Sequence, residues 1–280
     1  MTTPTQLTDT AALTQHRQRA RTAPALFLQE DVADEVEERL NEVNRTFTNP
    51  VIVTGFPELW AGRPINAKIV ADDETLALQT GAHDLVIHAL SLHWANDPVG
   101  QLIQCQRALA PDGLFIGALF GGQTLYELRG ALAEAEITLT GGLSPRVAPM
   151  GEIRDLGALL QRAGFALPVA DSTKRQVSYR DTAHLMHDLR AMGETNALAT
   201  RRRETPPRQL FIEAARIYES TYADASGRVP ATFEIVYLTG WAPDASQQKP
   251  LRPGSAQSRL ADALGTDETP LTDTVIPKPD

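Results

Sequence analysis

The chain has 280 residues, 42% of them hydrophobic, which is enough to bury a core in one large or two small domains and excludes disorder throughout. Its 26 Lys and Arg against 35 Asp and Glu leave a formal charge of −9, which argues against bulk attraction to nucleic acid or anionic lipid. The single cysteine, Cys105, forbids an intramolecular disulfide, a thiolate zinc cluster and a Cys-x-x-Cys redox pair, and fits a reducing compartment.

Residues 1–30 read as a polar N-terminal arm. Its first 23 residues set Arg17, Arg19 and Arg21 against Asp9 alone, a composition that organelle transit peptides share, but no apolar region for secretion is present and the plain reading is a frayed segment. From Asp31 to Phe47, the apolar residues Val32, Val36, Leu40, Val43 and Phe47 recur every three or four positions, with Glu35, Glu37, Glu38 and Arg39 between them, so an amphipathic helix is predicted. Val51-Ile52-Val53-Thr54-Gly55 predicts a strand, followed by an irregular turn holding Pro57, Gly62 and Pro64. Apolar runs at 67–71, 84–90 and 114–120 predict three buried strands, the last entered through the turn Ala110-Pro111-Asp112-Gly113. Between the second and third, Asp97 as N-cap and Pro98 at the first helical position open a helix running to Leu109, and strand, helix, strand implies a parallel pair with a right-handed crossover.

Gly121-Gly122 leads into a helix over 123–136, a loop over 141–149, a helix over 153–162 stopped by Gly164, and extended stretches at 166–170 and 175–179. Helices at 182–192 and 207–222 make a helical cap over 180–223, ahead of a strand at 232–238 that lies antiparallel at a sheet edge or next to one. Residues 242–280 hold six prolines and little apolar periodicity, and read as a mobile tail after a folded domain spanning 31–241. No run approaches the roughly 18 to 20 apolar residues of a membrane span. The alternation predicts an α/β, Rossmann-like, doubly wound sheet, with ligands at the carboxyl ends of the strands on loops 55–66, 71–78, 90–97 and 120–127.

Specific strings add to this pattern. Leu90-Ser91-Leu92-His93-Trp94-Ala95-Asn96-Asp97, the stretch Pro111-Asp112-Gly113 through Gly121-Gly122, Thr124-Leu125-Tyr126-Glu127-Leu128-Arg129, Met192-Gly193-Glu194-Thr195-Asn196 and Val229-Pro230-Ala231-Thr232-Phe233-Glu234-Ile235 occur in one order. Together they resemble the class I S-adenosylmethionine-dependent methyltransferase fold, and within it the family of the mitochondrial complex I assembly factor 5 and its alphaproteobacterial relatives. They are also similar to the malonyl-carrier-protein O-methyltransferases. The resemblance implies S-adenosylmethionine as cofactor, and as partner a peripheral-arm subunit or assembly intermediate of respiratory NADH:quinone oxidoreductase. The mitochondrial relative is regarded as an arginine hydroxylase.

The family opens its sheet with a strand running into a Gly-x-Gly-x-Gly turn, because the cofactor must lie against bare backbone. Here Gly55 stands alone, with Pro57 and Leu59 at the other two glycine positions and Val53 in place of the acid within the strand. The 11 residues from Phe56 to Asn66 leave no room for a helix, a strand and a return, so the first βαβ half is truncated and its ribose-binding acid is expected to be lost. The leading expectation is a methyltransferase-like protein with a degenerate S-adenosylmethionine site that supports complex I assembly by binding a peripheral-arm subunit. The alternative is an active S-adenosylmethionine-dependent methyltransferase or protein-arginine hydroxylase.

Under the resemblance, Gly55, Asp72, Asp73 and Leu90 are the cofactor contacts, with Asp72 accepting from the adenine amino group; Ala71-Asp72-Asp73-Glu74 also reads as a plain capping turn. His93, Tyr126 and Arg129 are the candidate catalytic or substrate residues, each with an ordinary packing role as the other reading. No metal site is expected, His184, His187 and Asp188 reading as a polar helix face. Between 171 and 208 eight Lys or Arg stand against five acids, a local basic excess suited to an acidic protein surface or the membrane side of a respiratory assembly. The expected location is cytoplasmic.

Overall fold

The computed structural model describes residues 6–248 and 265, so most of the expected tail lies outside the described residues. In chain order, α1 (Thr10–Ala20) opens at Asp9, whose carboxylate accepts from the Ala12 N–H at 3.0 Å. Next come α2 (Phe27–Glu42), β1 (Pro50–Thr54), the single turn α3 (Pro57–Trp60), β2 (Lys68–Val70), β3 (His83–Ala89) and a 3₁₀ turn at Leu92–Trp94. Then α4 (Pro98–Ala108) starts as the Asp97-Pro98 signal predicts, with the Asp97 carboxylate accepting from the Gly100 N–H at 2.8 Å. β4 (Leu109–Phe120), α5 (Tyr126–Thr140), α6 (Ile153–Arg162), β5 (Ala166–Tyr179), α7 (Thr182–Ala191), α8 (Arg208–Tyr222) and β6 (Val229–Trp241) complete the order.

The six strands form one sheet in the order β2-β1-β3-β4-β6-β5, with β2, β1, β3 and β4 parallel and β6 running antiparallel to both its neighbours, β4 and β5. Alternation along the strands feeds a core on each face. Ile52, Ile87 and Ile116 pack with Val32, Val36 and Leu128 on one side, while Val53, Val86 and Phe115 pack with Leu102, Cys105 and Leu160 on the other. The sheet is therefore covered on both faces, as a doubly wound α/β fold requires. β6 lies antiparallel next to the edge strand β5, as expected.

The truncated first half takes a definite form. β2 pairs directly with β1, Val51 with Lys68, Ile52 with Ile69 and Val53 with Val70, and the only helix between them is the four-residue α3. The sheet has closed over the shortened connection.

Several local expectations change. The frayed arm is instead α1, because Ala12, Leu13, Arg17 and Ala20 form a buried stripe at helical spacing. The helix expected over 31–47 runs from Phe27 to Glu42, since Val43 turns extended. α5 begins at Tyr126 rather than 123 because Leu125 adopts a left-handed φ of 54°. The stretches at 166–170 and 175–179 are one strand, joined by its unbroken ladder with β6 from Val169 to Tyr179 after an irregularity between Ala166 and Val169. The turn at 110–113 is absorbed into β4 as an irregularity with Asp112 at φ 59°.

Candidate functional site

Two clefts open at the carboxyl ends of the strands, where a doubly wound sheet places ligands. The first lies over β1 and β2. It is a cavity of about 460 Å³ lined by Thr14 and Arg17 from α1, Arg21 just after it, Gly55 and Pro57 after β1, and Asp72 after β2. Arg17 dominates it. Its Nη1 donates to both oxygens of Asp72, at 2.9 and 2.8 Å, and its guanidinium lies 5.7 Å from the centre of the Phe56 ring. Gly193, at φ 79°, lets the Arg17 stem pass: a Cβ there would sit 3.1 Å from Arg17 Cγ.

This cleft fails as a seat for S-adenosylmethionine in the arrangement shown. The cofactor needs the bare backbone of Gly55, yet a Cβ built on Gly55 would stand 2.5 Å from both Cζ and Nη1 of Arg17. The guanidinium already covers that contact, and the nearest carboxylate, Asp72, is committed to it.

The second cleft lies over β4 and β6, under the helical cap. It is a cavity of about 260 Å³ walled by Trp94, Phe120 and Phe233, with Leu128, Met186 and Leu189 behind them and Glu194 as its carboxylate. The Glu194 side chain is 8% exposed, and its Oε2 accepts from Trp94 Nε1 at 2.8 Å and meets His93 Nε2 at 3.2 Å. Its Oε1 is buried with no hydrogen-bond partner, as is His93 Nδ1. A carboxylate oxygen left unsatisfied among aromatic rings is costly to maintain, and a cation able to donate to it would offset that cost. One wall, Arg146, Val147 and Ala148, is fixed by Glu136, whose two oxygens hold Arg146 at 3.0 and 2.6 Å and Ser144 at 2.9 and 2.8 Å. Those partners, Arg146 first, hold the Glu136 carboxyl down at about 2.

The predicted residues divide between the clefts and their surroundings. Gly55 and Asp72 meet in the first, both against Arg17. Asp73 is exposed, and its carbonyl accepts from Gln101 Nε2 at 3.1 Å. Leu90 is core, held at φ 44° at the end of β3. His93 backs the second cleft, its ring 4.8 Å from that of Phe120. Tyr126 and Arg129 do not join it: Tyr126 is 43% exposed with its ring edge-on to Tyr222, and Arg129 lines a separate cavity with Ser144 and Pro145. The negative charge of Glu127 raises the Tyr126 phenol pKa. Beneath both clefts His88 is fully buried, its Nε2 2.9 Å from Gln101 Oε1, and burial pushes the imidazole pKa down, keeping it neutral. The basic stretch is partly neutralised within the molecule, Arg201 and Arg203 pairing with Asp9 and Arg202 with Glu204. No cluster of metal-ligating side chains occurs among the described residues.

Arg17 and Glu194 line the two clefts, and neither stands out as a site residue in the sequence. Arg17 carried a signal, an arginine within the stripe of Ala12, Leu13 and Ala20. Glu194 lies within Met192-Gly193-Glu194-Thr195-Asn196 with no local pattern to give it a role.

A methyltransferase-domain family model matches residues 55–117. The chain is 44% identical over 194 residues to the arginine-hydroxylase NDUFAF5, mitochondrial, of Danio rerio, covering 69% of this chain and 60% of that protein. It is 45% identical over 188 residues to the human protein of the same name, covering 67% and 54%. It is 37% identical over 188 residues to the malonyl-[acyl-carrier protein] O-methyltransferase of Laribacter hongkongensis, covering 67% and 61%. The chain thus spans less than two thirds of the length of these relatives. The expected cytoplasmic location is overturned by this kinship, because the arginine-hydroxylase relatives are all named as mitochondrial proteins.

Proposed function

The chain is a class I methyltransferase-fold protein closely related to the arginine hydroxylases named NDUFAF5 and to the malonyl-[acyl-carrier protein] O-methyltransferases, and from that premise we propose that it binds and modifies an arginine side chain of a protein partner during respiratory complex I assembly. The observation that carries this reading is Glu194 in its aromatic cavity. A guanidinium is planar, cationic and rich in N–H donors, so it meets a carboxylate oxygen that lacks a donor and lies flat against aromatic rings. Glu194 Oε1 offers the first and Trp94, Phe120 and Phe233 offer the second. Trp94 and His93 hold the carboxylate from the other oxygen, so it is oriented before a substrate arrives.

The named relatives support hydroxylation as the reaction on that side chain. No step is assigned to S-adenosylmethionine, which the first cleft does not fit as Arg17 stands. That same guanidinium favours a second reading, a partner-binding assembly protein without chemistry. Titration of the full chain with an arginine-bearing peptide from a peripheral-arm subunit, followed by mass spectrometry of the peptide, separates the two. Binding that falls by about tenfold or more in Glu194→Gln, the scale of losing a charge-assisted hydrogen bond, supports guanidinium capture. Turning a C–H bond of the arginine into C–OH is a two-electron oxidation that takes one atom of dioxygen and releases the other as water, so the mixture also holds dioxygen and a two-electron reductant; an oxygen added to the arginine then supports the enzyme, and capture without it supports the scaffold. Equal binding of a peptide with lysine at that position would defeat both.

A further inference from the structure

We propose that the cavity at Arg129 holds a carboxylate of the partner segment, from a glutamate or aspartate a few residues away from the arginine that Glu194 receives. The proposal deepens the function given above and rests on it. Arg129, on the first turn of α5, lines a cavity of about 440 Å³ with Leu132, Leu143, Ser144, Pro145 and Val147. A guanidinium keeps its charge at any pH a folded protein meets, so it calls for an anion. Among the described residues Arg129 has none. Nη2 donates to the Thr124 carbonyl at 3.1 Å, Nε is buried without a partner, and Nη1 makes no bond within the chain and stays accessible. With 35 Asp and Glu against 26 Lys and Arg, a shortage of carboxylates is not the reason.

The lining selects the anion. Ser144 gives its N–H and hydroxyl to Glu136, and Arg146 gives it Nε and Nη2, so the polar groups beside Arg129 are already engaged. What remains is one under-paired guanidinium among Leu132, Leu143, Pro145 and Val147. That suits a single carboxylate on an apolar stem, whereas the additional oxygens of a phosphate would go without donors. The cavity opens to solvent beside Leu143, which is 67% exposed. Its occupant comes from the segment seated in the second cleft because the two cavities share a wall: Leu132, Arg146 and Val147 line both. Thr124, whose carbonyl anchors Arg129, also lines the second cleft. An extended chain advances about 3.3 Å per residue, so a segment with its arginine against Glu194 crosses that wall within a few residues. Each socket carries the charge opposite to its occupant, which fixes the register of the segment.

Fluorescence anisotropy of the full chain with synthetic peptides tests this. The peptides carry one central arginine and a single glutamate walked through the flanking positions, each matched by a peptide with glutamine there instead. At one or two positions glutamate is expected to tighten binding by about tenfold over glutamine, the scale of one charge-assisted hydrogen bond. Arg129→Gln should abolish that gain and leave the glutamine peptide unaffected. Leu143→Glu, at an exposed position that sets a competing carboxylate beside Arg129, should do the same and serves if Arg129→Gln fails to fold. No preference for glutamate at any position, a preference that survives both variants, or equal weakening of glutamate and glutamine peptides by Arg129→Gln would each overturn the proposal. Glu194→Gln reports separately on the function proposed above. It should weaken every arginine peptide alike; if it weakens none while the glutamate preference persists, the arginine reading fails and the carboxylate socket at Arg129 stands.

Discussion

The two clefts are built around the same chemistry in opposite states. Over β1 and β2, the carboxylate of Asp72 is paired through both oxygens with a guanidinium from its own chain. Over β4 and β6, the carboxylate of Glu194 is oriented through one oxygen and unsatisfied at the other, beside a cavity that Trp94, Phe120 and Phe233 also line. The first is closed by an internal arginine; on the function proposed above, the second receives an external one. A carboxylate with its partner built in adds to stability, whereas one waiting for a partner subtracts from it, and substitution can measure that difference in sign.

The largest expected effect lies in the frame of the second cleft. Glu136 is buried, and it holds Arg146 and Ser144 so that residues 146–148 form a wall. Its folded carboxyl sits at about 2 against an ordinary 4.5, so its contribution is complete above pH 4.5 and is lost as pH falls toward 2. Linkage puts that contribution at about 3 kcal/mol. Glu136→Gln is expected to lower the unfolding free energy in urea by about that amount at pH 7, and to lose its deficit relative to the unaltered chain in acid. A deficit that is the same at pH 7 and pH 2.5 would show that the ion pair is not its source.

A smaller effect is expected in the first cleft. Asp72→Asn leaves the Arg17 cation, only 11% exposed, without its counter-charge. Removing one member of a largely buried pair costs about 2 kcal/mol here, below the range for full burial because both side chains keep some contact with water. Urea midpoints compared with those of Arg17→Met at equal slope would check it, and a double variant no less stable than the single ones would show that the two losses are one interaction.

Apolar runs made the frame of this molecule legible. Val51 to Val53 and Leu114 to Phe120 are apolar on both faces because both faces of the sheet are covered, and the Asp97-Pro98 pair fixed the start of α4 through local capping alone. The count of 11 residues after Gly55 foretold the missing helix. It could not foretell that β2 would close onto β1, because strand pairing depends on which edge is left open rather than on local pattern. The site was less legible for the same reason. Arg17 reaches Asp72 across 55 positions and Glu194 reaches His93 across 101, and side chains that meet only after folding leave no periodicity behind. Leu90 and Leu125, both held at positive φ, likewise obey the tertiary frame against their own preference.

The smallest expected change is the most discriminating. Glu194→Gln keeps the shape of the side chain and an oxygen for the Trp94 and His93 contacts, while removing a buried charge whose second oxygen has no donor. If the second cleft is poised for a cation, the substitution should leave stability within about 0.5 kcal/mol of the unaltered chain or raise it, because the group it removes is a cost in the free protein. Asp72→Asn, at a carboxylate already satisfied, should go the other way. Thermal and urea unfolding of the two variants side by side reads the contrast directly. Equal losses at both positions would mean that Glu194 is an ordinary structural partner of Trp94 and His93, and that the aromatic cavity is packing around it rather than a seat for an incoming guanidinium.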